Sequence, residues 1–187
     1  MDDRKREILD TAIDIISSEG YGSLSMRALA RASGMKLGAL QYHFRTWADL
    51  LRALVEYIAD EIRKEFEAQR LDDEAPTVAE IAAFMLSDES GSAAHVLGDR
   101  LWPQLWAMEQ VEPLVSDLLE DVYASYLAKL EDAITAAGGR DPHAEALALA
   151  AMMEGESLFT GEGRRWAADR KAVRAAILEL VREKYGE

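Results

Sequence analysis

Between Gly34 and Phe44 the chain reads GMKLGALQYHF, a short stretch holding Lys36, Gln41, Tyr42 and His43 between the flanking cations Arg31 and Arg45. These side chains suit recognition. A primary amide pairs bidentately with the edge of adenine, so Gln41 is a candidate base reader, whereas an ammonium and a phenol, as in Lys36 and Tyr42, suit phosphate oxygens. They do not make up catalytic machinery. The chain has three histidines, His43, His95 and His143, and no cysteine. It contains no G-x-S-x-G elbow, phosphate loop, dinucleotide fingerprint, H-E-x-x-H or Glu-x-x-His pair. No catalytic residue, metal site or cofactor is therefore expected, and an enzyme is the disfavoured class.

Charge sets where such a segment could act. The 187 residues carry a net charge of -14, the reverse of a general nucleic-acid binder. Residues 1–52, however, hold eight Lys/Arg against seven Asp/Glu, and the remainder holds thirteen against twenty-eight. An anionic partner such as DNA is steered to the N-terminal quarter and repelled by the rest. Absence of cysteine fits a reducing compartment, and the charged N-terminus leads into an amphipathic pattern. The expectation is a cytoplasmic protein without a membrane partner.

The elements that would position the segment are helical. Ile8, Leu9, Ala12, Ile13 and Ile16 recur at three- and four-residue steps and predict a first helix closed by Gly20. Ser25 caps a short second helix with Met26, Leu29 and Ala30 inward, and Gly34 supplies a left-handed turn. A third runs from about Leu37 to Phe44, with Leu40 and Phe44 inward. Thr46 and Asp49 resemble a capping box opening a long fourth helix to about Arg70. Further helices are expected at about 77–88, 93–108, 113–137, 143–160 and 168–185, with breaks at 71–76, 88–92, 138–142 and 161–163. Pro103 is expected to break or kink the helix it lies in. No strand-length alternation occurs.

A helix, a tight glycine turn and a second short helix match the arrangement that places the second helix in the major groove. From Ile8-Leu-Asp-Thr-Ala, through Ser25-Met-Arg-Ala-Leu-Ala-Arg-Ala-Ser-Gly-Met-Lys-Leu-Gly-Ala-Leu-Gln-Tyr-His-Phe, to Asp49-Leu-Leu, the sequence resembles the DNA-binding domain of the tetracycline-repressor (TetR) family. The resemblance implies an all-α protein of about nine helices. A three-helix helix-turn-helix domain, residues 1–46, would be followed by a larger helical effector-binding and dimerisation domain, residues 47–187. It implies a homodimer released from a palindromic double-stranded DNA operator by a small-molecule effector. The DNA-binding residues would be Arg27, Lys36, Leu37, Gly38, Ala39, Gln41, Tyr42, His43, Arg45, Thr46 and Trp47, with local packing favoured for His43, and phosphate contacts are also expected from Arg4, Lys5 and Arg6. Three positions depart from the family pattern: Lys36 replaces a capping serine, Gln41 a tyrosine, and Trp47 a phosphate-binding lysine. An alternative is a helical protein-interaction adaptor that has lost operator recognition.

In the C-terminal region Trp102, Trp106, Met108, Tyr123, Tyr126 and Met152 are the candidate effector wall, since a pocket in a helical domain is lined by aromatic and adaptable methionine side chains. Asp99, Glu109, Glu154 and Glu156 are expected on solvated faces. Should one prove buried beside Trp102 or Trp106, a cationic effector is implied. The alanines at 144, 148, 151, 172, 175 and 176, with Gly155, mark close helix approach in a dimer.

Overall fold

The computed structural model describes residues 2–68, 75–87 and 99–186. Among them the regular elements are helices: α1 (Asp3–Glu19), α2 (Met26–Ala32), α3 (Leu37–His43), α4 (Trp47–Ala68), α5 (Val78–Met85), α6 (Trp102–Glu109), α7 (Pro113–Ala136), α8 (Pro142–Thr160) and α9 (Arg170–Tyr185). Single 3-10 turns, Tyr21–Ser23 and Ala167–Asp169, precede α2 and α9. The described residues form two compact units, one from 2–65 with 99–121 and one from 66–68, 75–87 and 122–186. None of the described helices is long and apolar enough to cross a membrane.

In the first unit the periodicity of α1 becomes a core. Ile8, Leu9, Ala12 and Ile16 are wholly buried, together with Leu29 of α2, Leu40 of α3 and Leu50 and Leu54 of α4. Each such leucine or isoleucine withdrawn from water contributes about 2 kcal/mol. Helix α1 stops where predicted: Gly20 has φ 85° and its amide donates to the Ile16 carbonyl at 3.0 Å. Ser25 accepts from the Ala28 amide at 3.1 Å to open α2. Gly34 turns out of it at φ 66°, a conformation that a side chain makes costly. Tyr57 of α4 donates to Asp10 of α1 at 2.7 Å, a polar tie beside the apolar contacts.

In the second unit, Thr77 and Glu80 form a reciprocal capping box on α5. Val78, Ile81, Ala82, Leu130, Ile134, Ala146, Leu149, Met153, Ile177 and Val181 pack into one cluster drawn from α5, α7, α8 and α9. Helices α8 and α9 run antiparallel and are tied at both ends. Near the start of α8, Glu145 accepts from Tyr185 at 2.7 Å and pairs with Lys184 at 3.1 Å. The Tyr185 hydrogen bond, with backbone amides and Lys184, holds its carboxyl down at about 2. Near the other end, Glu156 lies 3.3 Å from both Arg170 and Arg174 and accepts from Thr160. Glu156 is only 5% exposed, which corrects the expectation of a solvated face: the two arginines neutralise it within the fold.

Other expectations shift. Residues 99–101 form a turn and helix α6 begins at Trp102, with Pro103 in its first turn, where the missing N–H costs nothing. The helix start expected at 93 and the break at 88–92 lie outside the described residues, apart from the portion that α6 represents. Helix α9 begins at Arg170 because the 3-10 turn occupies the residues before it. On the face of α8 opposite its core residues, Ala144, Leu147, Ala148, Ala151, Met152, Leu158 and Phe159 are all exposed. Ala172, Ala175, Ala176 and Leu180 continue this small and apolar surface on α9. Met152, 41% exposed, belongs to this outer stripe. That overturns its assignment to an effector wall: its neighbour Met153 takes the inward position, 100° round the helix. A Cβ on Gly155 would meet nothing within 4 Å, so no described backbone crosses there.

Candidate nucleic-acid interface

Helix α3 is short, and its position is set by its inward residues. Leu40 is wholly buried and Phe44, just past its end, is 3% exposed. The Phe44 amide still donates to the Leu40 carbonyl at 2.9 Å. At the other end the Met35 amide reaches back to the Ala30 carbonyl at 2.9 Å, fixing the angle between α2 and α3. With that anchorage, Lys36, Gly38, Ala39, Gln41 and Tyr42 face water, and Tyr42 is 86% exposed. His43 is half-buried, its ring edge-on to Tyr42 with centroids 5.5 Å apart. Leu37 is also half-buried. A Cβ on Gly38 would meet nothing within 4 Å, so the fold itself does not require glycine there.

Electrostatics favour an external anion. Arg27, Lys36 and Arg45 are exposed and form no ion pair with any described residue. Lys36 occupies the N-cap position of α3 without a side-chain cap hydrogen bond, leaving the first amides of the helix uncapped. Thr46 and Asp49 form the expected reciprocal pair: the Asp49 amide donates to Thr46 Oγ1 at 3.1 Å, and the Thr46 amide to Asp49 Oδ2 at 3.0 Å. Two predicted cations are already engaged. Arg4 pairs with Glu7 at 2.6 Å and donates to the Ser33 carbonyl at 3.1 Å, so it braces the turn before α3. Lys5 lies 5.9 Å from the centre of the Phe44 ring.

Trp47 departs furthest from the expectation. It is half-buried, and its Nε1 donates to Glu112 Oε1 at 3.1 Å. The same oxygen accepts from the Tyr21 hydroxyl. The Tyr21 amide in turn donates to Gln104 Oε1 at 3.0 Å. Burial, and then the Glu112 carboxylate, push the Tyr21 phenol above its ordinary range. Trp47 thus turns its polar edge to the α6–α7 connection within the first unit, where its indole N–H is already engaged. Tyr21, Gln104 and Glu112 form a site that sequence reasoning missed. Gln104 and Glu112 lie 83 and 91 residues beyond Tyr21 in the chain, and no local spacing marks the group.

The candidate effector residues divide between the units. Leu101, at the N-cap of α6, and Leu105 and Met108 within it are wholly buried, and Trp102 and Trp106 are half-buried. Tyr123 and Tyr126 belong to the second unit, half-buried on α7. There the Tyr126 hydroxyl is sealed from water without a hydrogen-bond partner.

Residues 8–54 match the sequence pattern of the family described as bacterial regulatory proteins, tetR family. The HTH-type transcriptional regulator BetI of Cronobacter sakazakii is 23% identical over 116 residues, which cover 62% of this chain and 57% of that protein. A crystal structure of a Rhodococcus sp. protein assigned to the TetR-family transcriptional regulators superposes with a TM-score of 0.75 at 25% identity, over 99% of this chain and 100% of that one. A Saccharomonospora viridis protein, assigned as a transcriptional regulator and crystallised with choline, shares the fold with a TM-score of 0.78 at 20% identity, over 96% and 95% of the two chains. The match spans a little over half the length of BetI. Residues 8–54 thus carry the pattern of the tetR family of bacterial regulatory proteins, on a helix-turn-helix with its outward face free and within a helical fold shared with a TetR-family structure.

Proposed function

We propose that the protein is a DNA-binding transcriptional regulator, in the cytoplasm, that acts as a homodimer and is released from a two-fold symmetric operator by a small molecule. Residues 1–46 would serve as the DNA-binding part and 47–187 as the effector and dimer part. The observation that carries the reading is the outward face of α3: Lys36, Gln41 and Tyr42 stand exposed on a helix whose Leu40 is wholly buried, beside the unpaired Arg27 and Arg45. Rigid support and free cations are what phosphate positioning and base reading require. Gln41 is the base reader in this scheme; Lys36, Tyr42, Arg27, Arg45 and the Thr46 hydroxyl address the backbone. Gly38 and Ala39 keep the helix surface low enough for close approach.

Dimerisation is supported by the small and apolar stripe along α8 and α9, which no described residue of the chain covers. A second copy packing there by its equivalent stripe makes an isologous interface, matching a palindromic site. An effector is supported by the likeness in fold to the protein crystallised with choline. Such a molecule acts by preferring one spacing of the two recognition helices. An adaptor without operator recognition rested on Trp47 and the low charge of the N-terminal part, and the bond to Glu112 gives Trp47 a role within the fold.

Fluorescence anisotropy with DNA taken from upstream of the gene tests the reading. Affinity should fall steeply between low and physiological salt. The footprint should be two-fold symmetric. Gln41→Ala should relax base preference with little change in nonspecific affinity, and equal losses on all sequences would refute its role.

A further inference from the structure

Two polar groups of the second unit lack the partners that their burial demands. The Tyr126 hydroxyl on α7 has essentially no contact with water and no hydrogen-bond partner among the described residues. Glu154 on α8 is part-buried, and among the described residues no cation, amide or hydroxyl bonds to its carboxylate. Its neighbour in sequence, Met153, lies in the core cluster against which the Tyr126 ring packs. The two groups are near enough for the Glu154 charge to bear on the Tyr126 phenol. The contrast with Glu156, two residues on, is informative: that carboxylate has two arginines and a threonine hydroxyl. Burial alone pushes the Glu154 carboxyl up to about 7.

A withdrawn carboxylate without an internal cation invites a cation from outside. A metal ion is a poor fit, since no group of three or more His, Cys, Asp or Glu side chains that could hold one occurs among the described residues. Tyr126 supplies aromatic surface near the acid, the combination that favours alkylammonium ions through their charge and their apolar groups together.

We infer that Glu154, with Tyr126, is the recognition point for an organic ammonium ion, the carboxylate pairing with the charge and the tyrosine flanking the alkyl groups. This rests on the reading of the protein as ligand-responsive and specifies the ligand's class. The assignment moves the cation site away from Trp102 and Trp106, which lie in the other unit.

The test uses the full chain and two probes of matched size, tetraethylammonium and a neutral branched alkanol, with calorimetry for binding and anisotropy for DNA affinity. The ammonium ion should bind at least about tenfold more tightly than the alkanol, and Glu154→Gln should lose about that factor. Glu154→Asp, which keeps the charge, should retain the preference. Equal binding of the two probes, undiminished binding by Glu154→Gln, or no binding by any ion from tetramethyl- to tetrabutylammonium overturns the inference. Glu154-dependent binding that leaves DNA affinity unchanged upholds the site and defeats the ligand-responsive reading. Release from DNA by the neutral alkanol with no ammonium preference does the opposite.

Discussion

Tyr42 and Tyr126 are the same side chain in opposite circumstances. On α3, Tyr42 is 86% exposed on a helix whose inward residues are buried, so its hydroxyl can exchange water for a phosphate oxygen at little desolvation cost. On α7, Tyr126 has lost its water already and gained no partner, near a carboxyl that burial pushes up to about 7. The first region presents polarity on top of a finished core. The second leaves polarity unfinished inside one. A surface of the first kind suits a large, hydrated polyanion, and a site of the second kind suits a small ligand that brings the missing charge with it.

The contrast can be broken most forcefully at its base. Leu40→Ala should destabilise the first unit by about 3 kcal/mol and abolish DNA binding, because the outward face of α3 depends on that anchor. Urea denaturation and anisotropy on the same preparation measure both. If DNA binding survives with stability lost, the rigid-support argument for the interface fails.

In the second unit the expected sign is reversed. Glu154 is protonated in both states at low pH. As pH rises from about 4, the unfolded chain ionises first, and stability drains until the folded carboxyl ionises near 7. Glu154→Gln should therefore change little at pH 4 and stabilise the protein by about 2 kcal/mol at pH 8. Thermal unfolding across that range reads the difference directly, and a pH-independent effect would remove the case for a buried ionisable group.

Smaller effects probe the junction and the cap. Trp47→Phe keeps the ring but removes the donor to Glu112, and should cost about 1 kcal/mol in denaturation midpoint; an effect on DNA affinity alone would restore Trp47 to the interface. Lys36→Ser should return the missing helix cap for a gain of up to about 1 kcal/mol. It should also lower the salt dependence of DNA binding by about one ion. A stabilised variant with an unaltered salt slope would show that Lys36 makes no phosphate contact.

Much of the N-terminal arrangement was legible because its causes are local. Ile8, Leu9 and Ile16 at helical spacing, Ser25 three residues before the amide it caps, Gly34 at a positive φ and the Thr46–Asp49 pair all act within one or two turns. The division of α3 into buried Leu40 and exposed Gln41 and Tyr42 follows from the same periodicity.

Only the tertiary structure could decide which polar residues are spent within the fold. Arg4 bonds to Ser33, Trp47 and Tyr21 converge on Glu112, and Glu156 holds Arg170 and Arg174, while Glu154 is left without a counter-charge. Met152 and Met153 are adjacent and chemically identical, yet one is on the outer stripe and the other in the core. Helical periodicity and capping are short-range and written in neighbouring residues. Burial and pairing depend on residues far along the chain, and until those meet, an acidic side chain reads the same whether it will be solvated, neutralised or left waiting for a ligand.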